Sequence, residues 1–239
     1  MTIDNLPRLL QDAIKSNEYD INVITKHLKL PWLKLDLDFG LDENDHDQLM
    51  SQEDWRTKWN FPSLEDNSYQ VKNWNGKIFF GPRDFSKFLD LSKSHQHDHD
   101  EDSKCRLFRK KMEYGWATES VIKQKIQKLI PDEDLNLVNS YVLPPGGYIF
   151  PHRDYAIDGF GLAKIYVAVK WKKGNIFGMY GCGDIPIKQG DVLLVNNYTL
   201  PHWVYNGSDE NRIVLDVSAN LQSPNIKDSI IDAFKKHFR

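Results

Sequence analysis

The sequence predicts an α+β chain, mainly β, whose C-terminal half folds as an antiparallel barrel or jelly roll. Three observations carry that expectation. From Leu135 onward, short runs rich in β-branched and aromatic residues follow one another: "LNLVNSYVL", "AKIYVAVKW", "NIFGMYG", "DVLLVNN", "HWVYN" and "RIVLDVSA". Such residues fit a pleated, half-buried surface. Between the runs stand "PPGG", "KKGN", "KQGD" and "NGSDEN", each able to make a tight reversal. No helical pattern separates the runs, and parallel strands would need such crossovers, so the sheet should be antiparallel.

The elements before Leu135 are less regular. "LPRLLQDAIKS" (Leu6 to Ser16) has helical spacing with Leu9, Leu10 and Ile14 on one face. "TESVIKQKIQKLI" (Thr118 to Ile130) is the clearest helix, with Thr118 as a candidate N-cap and Pro131 after the last turn. Between them lies "HQHDHDEDSK" (His95 to Lys104). Its histidines, His95, His97 and His99, suggest a metal. A polar tract without apolar anchors fixes no geometry, however, so a solvated loop is expected there. After the β-rich half, "NIKDSIIDAFKKHF" reads as an amphipathic helix packed on the outside. The chain thus divides into a mixed region, 1–131, flanking the barrel and shaping a pocket, and a core, 132–239, with a single integrated domain as the alternative. No solenoid-type repeat is present.

Bulk properties narrow the function class. The 239 residues are 40% hydrophobic and 27% charged, ordinary for a globular protein. A net charge of -3 gives no general attraction to nucleic acid or an anionic membrane. The two cysteines, Cys105 and Cys182, form no CxxC and no disulfide framework, which suits a reducing cytoplasm. The N-terminal residues do not read as a signal peptide, and no run approaches the roughly 18 apolar residues of a membrane span.

Chemistry enters with "FPHRDYAIDGFGLAKIYVAVKW". On a strand, residues two apart share a face, so His152 and Asp154 would project together and Arg153 away from them. Imidazole and carboxylate are donors for a first-row divalent ion. Two histidines with one carboxylate form the facial triad of non-haem Fe(II) oxygenases, which leaves positions open for substrate oxygens and O2. Outside the acidic tract the remaining histidines are His27, His46, His202 and His237. His202 opens a β-run and is the natural third ligand. Arg212 follows ten residues later, beyond a loop that reads as a hairpin. If Val204 lies opposite Arg212 across that hairpin, His202 and Arg212 share one face. An inward arginine is costly unless it meets an anion, and its fork matches a carboxylate.

These features, an HxD, a distal His and an Arg ten residues beyond it, resemble the Fe(II)/2-oxoglutarate-dependent oxygenases. Within them, "LPPGGYIFPHRD" and "HWVYNGSDENRIVLDVS" look like the aspartyl/asparaginyl β-hydroxylase-like branch, which includes free-amino-acid hydroxylases. The resemblance covers about Leu137 to Ala219. It implies a double-stranded β-helix, a cupin-like jelly roll, with Fe(II) held by His152, Asp154 and His202 and with 2-oxoglutarate anchored by Arg212. Members often carry Arg-x-His on the strand after the HxD. Here that place is taken by Lys164 and Tyr166, which become candidate cosubstrate contacts. Tyr155, Trp171 and Trp203 are further pocket candidates. The implied activity is hydroxylation of an amino acid or a peptidyl Asp/Asn-type substrate, with O2 consumed and 2-oxoglutarate converted to succinate. Two other readings keep the fold: a cupin-type metalloenzyme without 2-oxoglutarate, and a non-catalytic jelly-roll ligand-binding module.

Overall fold

The structure, a computed structural model, describes residues 3–26, 31–50, 71–72, 75–84, 87, 90, 111–117, 119–154, 164–197 and 200–238. The histidine-acid tract around 95–104, His27, Thr118 and Tyr155 lie outside the described residues. The chain opens with helices α1 (Arg8–Ser16) and α2 (Ile21–Lys26), strand β1 (Trp32–Leu35) and the short helix α3 (His46–Leu49). Strands β2 (Val71–Lys72), β3 (Asn75–Pro82) and β4 (Tyr114–Trp116) precede helix α4 (Val121–Gln127). The β-rich half contains β5 (Leu135–Leu143), β6 (Tyr148–His152), β7 (Lys164–Lys170), β8 (Asn175–Met179) and β9 (Gly183–Asp184). It continues with β10 (Val192–Val195), β11 (His202–Asn206), β12 (Arg212–Ala219) and the final helix α5 (Pro224–Phe238).

The strands form two antiparallel sheets, a seven-stranded one in the order β1-β10-β7-β12-β5-β3-β4 and a five-stranded one in the order β2-β6-β11-β8-β9. This is the jelly-roll, cupin-like architecture that the β-rich half predicts. Strands of the N-terminal region extend both sheets. β3 pairs with β5 and β1 with β10 in the larger sheet, while β2 pairs with β6 in the smaller. Among the described residues no helix is long and apolar enough to cross a membrane.

Two apolar clusters explain why the central strands are buried on both faces. On β7, Ile165, Val167 and Val169 join a cluster with the helices, while Tyr166 and Ala168 join a second cluster between the sheets. β10 divides the same way, Val192 and Leu194 against Leu193 and Val195. On β12, Ile213, Leu215 and Val217 face the helices. By the period of two, Arg212, Val214 and Asp216 face the space between the sheets, and Val214 does belong to the inner cluster. The outer cluster is sealed by Leu10 and Ile14 of α1 and by Ile226, Ile230 and Phe234 of α5. Leu9, expected on the apolar face of α1, is 56% exposed instead, because the burying stripe is the narrower Leu10–Ile14 pair. The cap of α4 is Ser120, whose hydroxyl accepts from Lys123 N.

The expected hairpin between β11 and β12 is not formed. β11 pairs with β6 and β8, whereas β12 pairs with β5 and β7, so residues 207–211 arch from one sheet to the other. Asn206, fully buried, builds the arch. Its Nδ2 donates to the Leu143 and Glu210 carbonyls at 2.6 and 2.8 Å, and its Oδ1 accepts from Ser208 N and Oγ at 3.0 and 2.7 Å. Its backbone also bonds the Pro144–Gly147 turn, where Gly146 adopts a φ of 71° that favours glycine. Turn-like spacing reads alike for a hairpin and for an arch; side-chain bonds to the neighbouring turn decide between them.

Candidate metal centre

His152 ends β6, and Asp154 lies just beyond it rather than on the strand. The β6–β11 register pairs Val204 with Ile149 but His202 with His152, so β6 carries a bulge between these pairs. Two residues of β11 therefore match three of β6. The bulge brings His152 to the same side as His202 and the buried Val204. Tyr148 and Phe150 stack on each other at 4.8 Å, and Phe150 is exposed.

One ligand atom from each of His152, Asp154 and His202 lies within 4.8 Å of the others. Nε2 of His152 and of His202 stand 3.4 and 3.6 Å from Asp154 Oδ1. These separations are long for hydrogen bonds but close to the roughly 3 Å between adjacent octahedral donors bonded at about 2.1 Å. His152 Nδ1 lies 2.8 Å from the Phe150 carbonyl, which can only accept, so Nδ1 carries the proton and Nε2 presents its lone pair. Burial pushes the His202 pKa down to about 4, against the pull of Asp154, leaving a neutral imidazole. Burial also opposes protonation of His152, but the adjoining Asp154 outweighs it and the pKa is raised. Burial would raise the pKa of Asp154; the charge of Lys164 and the two histidines hold it well below the usual carboxylate range. Two imidazoles and one carboxylate, arranged this way, fit a divalent first-row metal, whose charge would compete with the proton at His152.

Arg212 is 3% exposed, and among the described residues no carboxylate reaches it. Its Nη2 donates to the Tyr166 hydroxyl, its Nε is buried without a partner among the described residues, and the guanidinium lies 4.9 Å from the Trp171 ring centroid. Burial lowers its pKa and pushes that of Tyr166 up to about 12. Aromatic contacts connect this group to the histidines. Tyr166 stacks on Phe177 at 4.8 Å, and Phe177 meets the His202 ring edge-on at 5.7 Å.

Lys164 does not line up with Arg212. Its ammonium donates to Asp154 Oδ2 at 2.9 Å and lies 3.5 Å from Asp216 Oδ2. Trp203, between inward His202 and Val204, turns to the other side of β11; its indole covers Gly178, where a Cβ would come within 2.0 Å of the ring. His46 borders a surface cleft of about 350 Å³ with Glu43, Lys170 and Glu210. A second cleft of about 410 Å³ runs past Trp171 and Gln189, and no triad residue lines either. Two polar residues escaped the sequence reading. Asp216 could have been found, since it shares the strand parity of Arg212 inside an apolar run. Asn197, after "DVLLV", carries no local signal; only the fold brings its amide to Asp154, 2.6 Å from Oδ2.

A jelly roll enclosing a His/Asp/His cluster and a buried arginine is thus what the chain presents. No protein-family model matches the sequence, and no curated protein matches it either. Solved structures of similar fold include an oxidoreductase of the 2OG-Fe(II) oxygenase family from Burkholderia pseudomallei. It is 11% identical, with a TM-score of 0.39 over 46% of this chain and 61% of that one. A viral collagen prolyl hydroxylase from Paramecium Bursaria Chlorella virus-1 is 13% identical, with a TM-score of 0.37 over 79% and 95% of the two chains. A predicted oxalate decarboxylase from Thermotoga maritima is 26% identical, with a TM-score of 0.30 over 37% and 70%.

Proposed function

We propose that the protein is an Fe(II)- and 2-oxoglutarate-dependent hydroxylase acting on an amino acid or a peptidyl Asp/Asn-type substrate. The observation that carries this reading is a pairing. A His152/Asp154/His202 donor set shares the sheet interior with Arg212, a buried cation whose Nε has no partner among the described residues. The donor set alone would suit any cupin-type metalloenzyme. The arginine asks for an anion, and a dicarboxylate chelated at the metal supplies one.

In this reading His152 and His202 offer Nε2 and Asp154 offers Oδ1 to the metal. Arg212 and the Tyr166 hydroxyl, next to each other, receive the distal carboxylate of 2-oxoglutarate. Phe177, Trp171 and Val214 keep water from the space between. When bound, Fe(II) and 2-oxoglutarate supply the oxidising chemistry, in which O2 and 2-oxoglutarate yield succinate, CO2 and a hydroxylated C–H bond.

The test is anaerobic addition of Fe(II) and 2-oxoglutarate, which should give a visible charge-transfer band that His202→Ala abolishes. Arg212→Ala should retain iron and weaken 2-oxoglutarate about 100-fold, from two charged hydrogen bonds at about 1.5 kcal/mol each. Absence of the band, or equal loss of iron and 2-oxoglutarate in the arginine variant, would overturn the reading. A succinate-release screen across amino acids and peptides, with mass spectrometry for one added oxygen, then identifies the substrate.

A further inference from the structure

A carboxylate ligand offers two oxygens, and whether one or both meet the metal sets how many coordination positions stay open. Asp154 lies beyond the end of β6, so strand pairing does not orient its side chain. Its two oxygens nevertheless have different surroundings. Oδ1 faces Nε2 of both histidines, at 3.4 and 3.6 Å. Oδ2 accepts from Asn197 Nδ2 at 2.6 Å and from Lys164 Nζ at 2.9 Å. Two donors match the two lone pairs of that oxygen. Asn197 grips the residue twice, since its backbone carbonyl also accepts the Asp154 N–H at 3.1 Å. The amide orientation follows from chemistry, because the reverse would set an amide oxygen against a carboxylate. Lys164 is in turn held by Asp216, so the clamp is tied to β7 and β12.

We propose that Asn197 and Lys164 are positioning residues that occupy Asp154 Oδ2, reserve Oδ1 for the metal and keep the carboxylate monodentate. Neither residue touches the metal. They hold a position open that a bidentate carboxylate would fill. The proposal rests on the reading of His152, Asp154 and His202 as metal ligands, and it assigns Lys164 to the ligand carboxylate rather than to a cosubstrate.

Co(II) alone is the probe, titrated into the full chain without 2-oxoglutarate. The affinity and the visible d–d spectrum at saturation are both recorded. Wild type should bind one Co(II), and His202→Ala should lose it. Asn197→Ala should bind about 10–100-fold more weakly. Its saturated spectrum should also differ, because Oδ2 becomes free to coordinate. Lys164→Met should change both readouts in the same direction, and it decides the matter if Asn197→Ala is too unstable to titrate. Wild-type affinity in both variants would overturn the clamp, as would weaker binding with an unchanged saturated spectrum. If wild type itself takes up no Co(II), the metal triad falls first and the clamp with it.

Discussion

Arg212 and Tyr166 form a buried pair in which each limits the other. The guanidinium donates to the phenol, and both are shut away from water between the sheets. Tyr166 therefore links stability to alkaline pH. Burial raises its pKa from 10.0 to about 12, so between those values the folded chain holds a proton that the unfolded chain has lost. Its contribution is complete below pH 10 and declines as pH rises toward about 12, by on the order of 2 kcal/mol. Urea unfolding at pH 9, 10 and 11 should show a steeper loss in wild type than in Tyr166→Phe; parallel curves would contradict this. At this scale residue type pointed to side chains that the fold gathers, His152, Asp154 and His202, and to Arg212, which it buries. It was unreadable where the role comes from a partner across the fold. Asn197 is one polar residue after a buried strand until the sheets bring it to Asp154.

The elements follow the same division. β5 and β12 match the runs "LNLVNSYVL" and "RIVLDVSA", because glycine, proline and asparagine turns fence stretches rich in Leu, Val and Ile. β1 is only four residues, and β3 begins with Asn-Gly and ends with Gly-Pro, so neither announces itself; both are fixed by neighbours already in the sheet. The C-terminal helix α5 was legible from its apolar spacing, and its attachment is now specific. Ser229 Oγ accepts the Asp36 N–H at 3.1 Å, and Phe234 is completely buried between Tyr19 and Phe238. Phe234→Ala should cost about 3–5 kcal/mol through lost burial and the cavity left behind, measured by urea denaturation. A loss below about 1 kcal/mol would mean that α5 does not seal the outer cluster as described.

For the molecule as a whole, metal and fold should be thermodynamically linked. A ligand that binds only the folded state stabilises it by about 2.7 kcal/mol at one hundred times its Kd. Co(II) at that ratio should raise the melting temperature of wild type and leave His202→Ala unmoved; an equal rise in both would place the metal elsewhere. The long-range topology was the least legible level. Arg212 was expected to face inward beside His202 across a hairpin, and it does face inward, but from the opposite sheet. That placement has a mechanical side. His152, Asp154 and His202 are carried at β6 and β11, the arginine and tyrosine by β12 and β7, and the short arch of residues 207–211 is one covalent strap between the two sheets. A molecule gripped at both ends would act as a rivet through the sandwich. Its length would gauge the gap between two plates that sheets of this kind keep about 10 Å apart, so a shorter or longer dicarboxylate would have to bend the plates to be held at both ends.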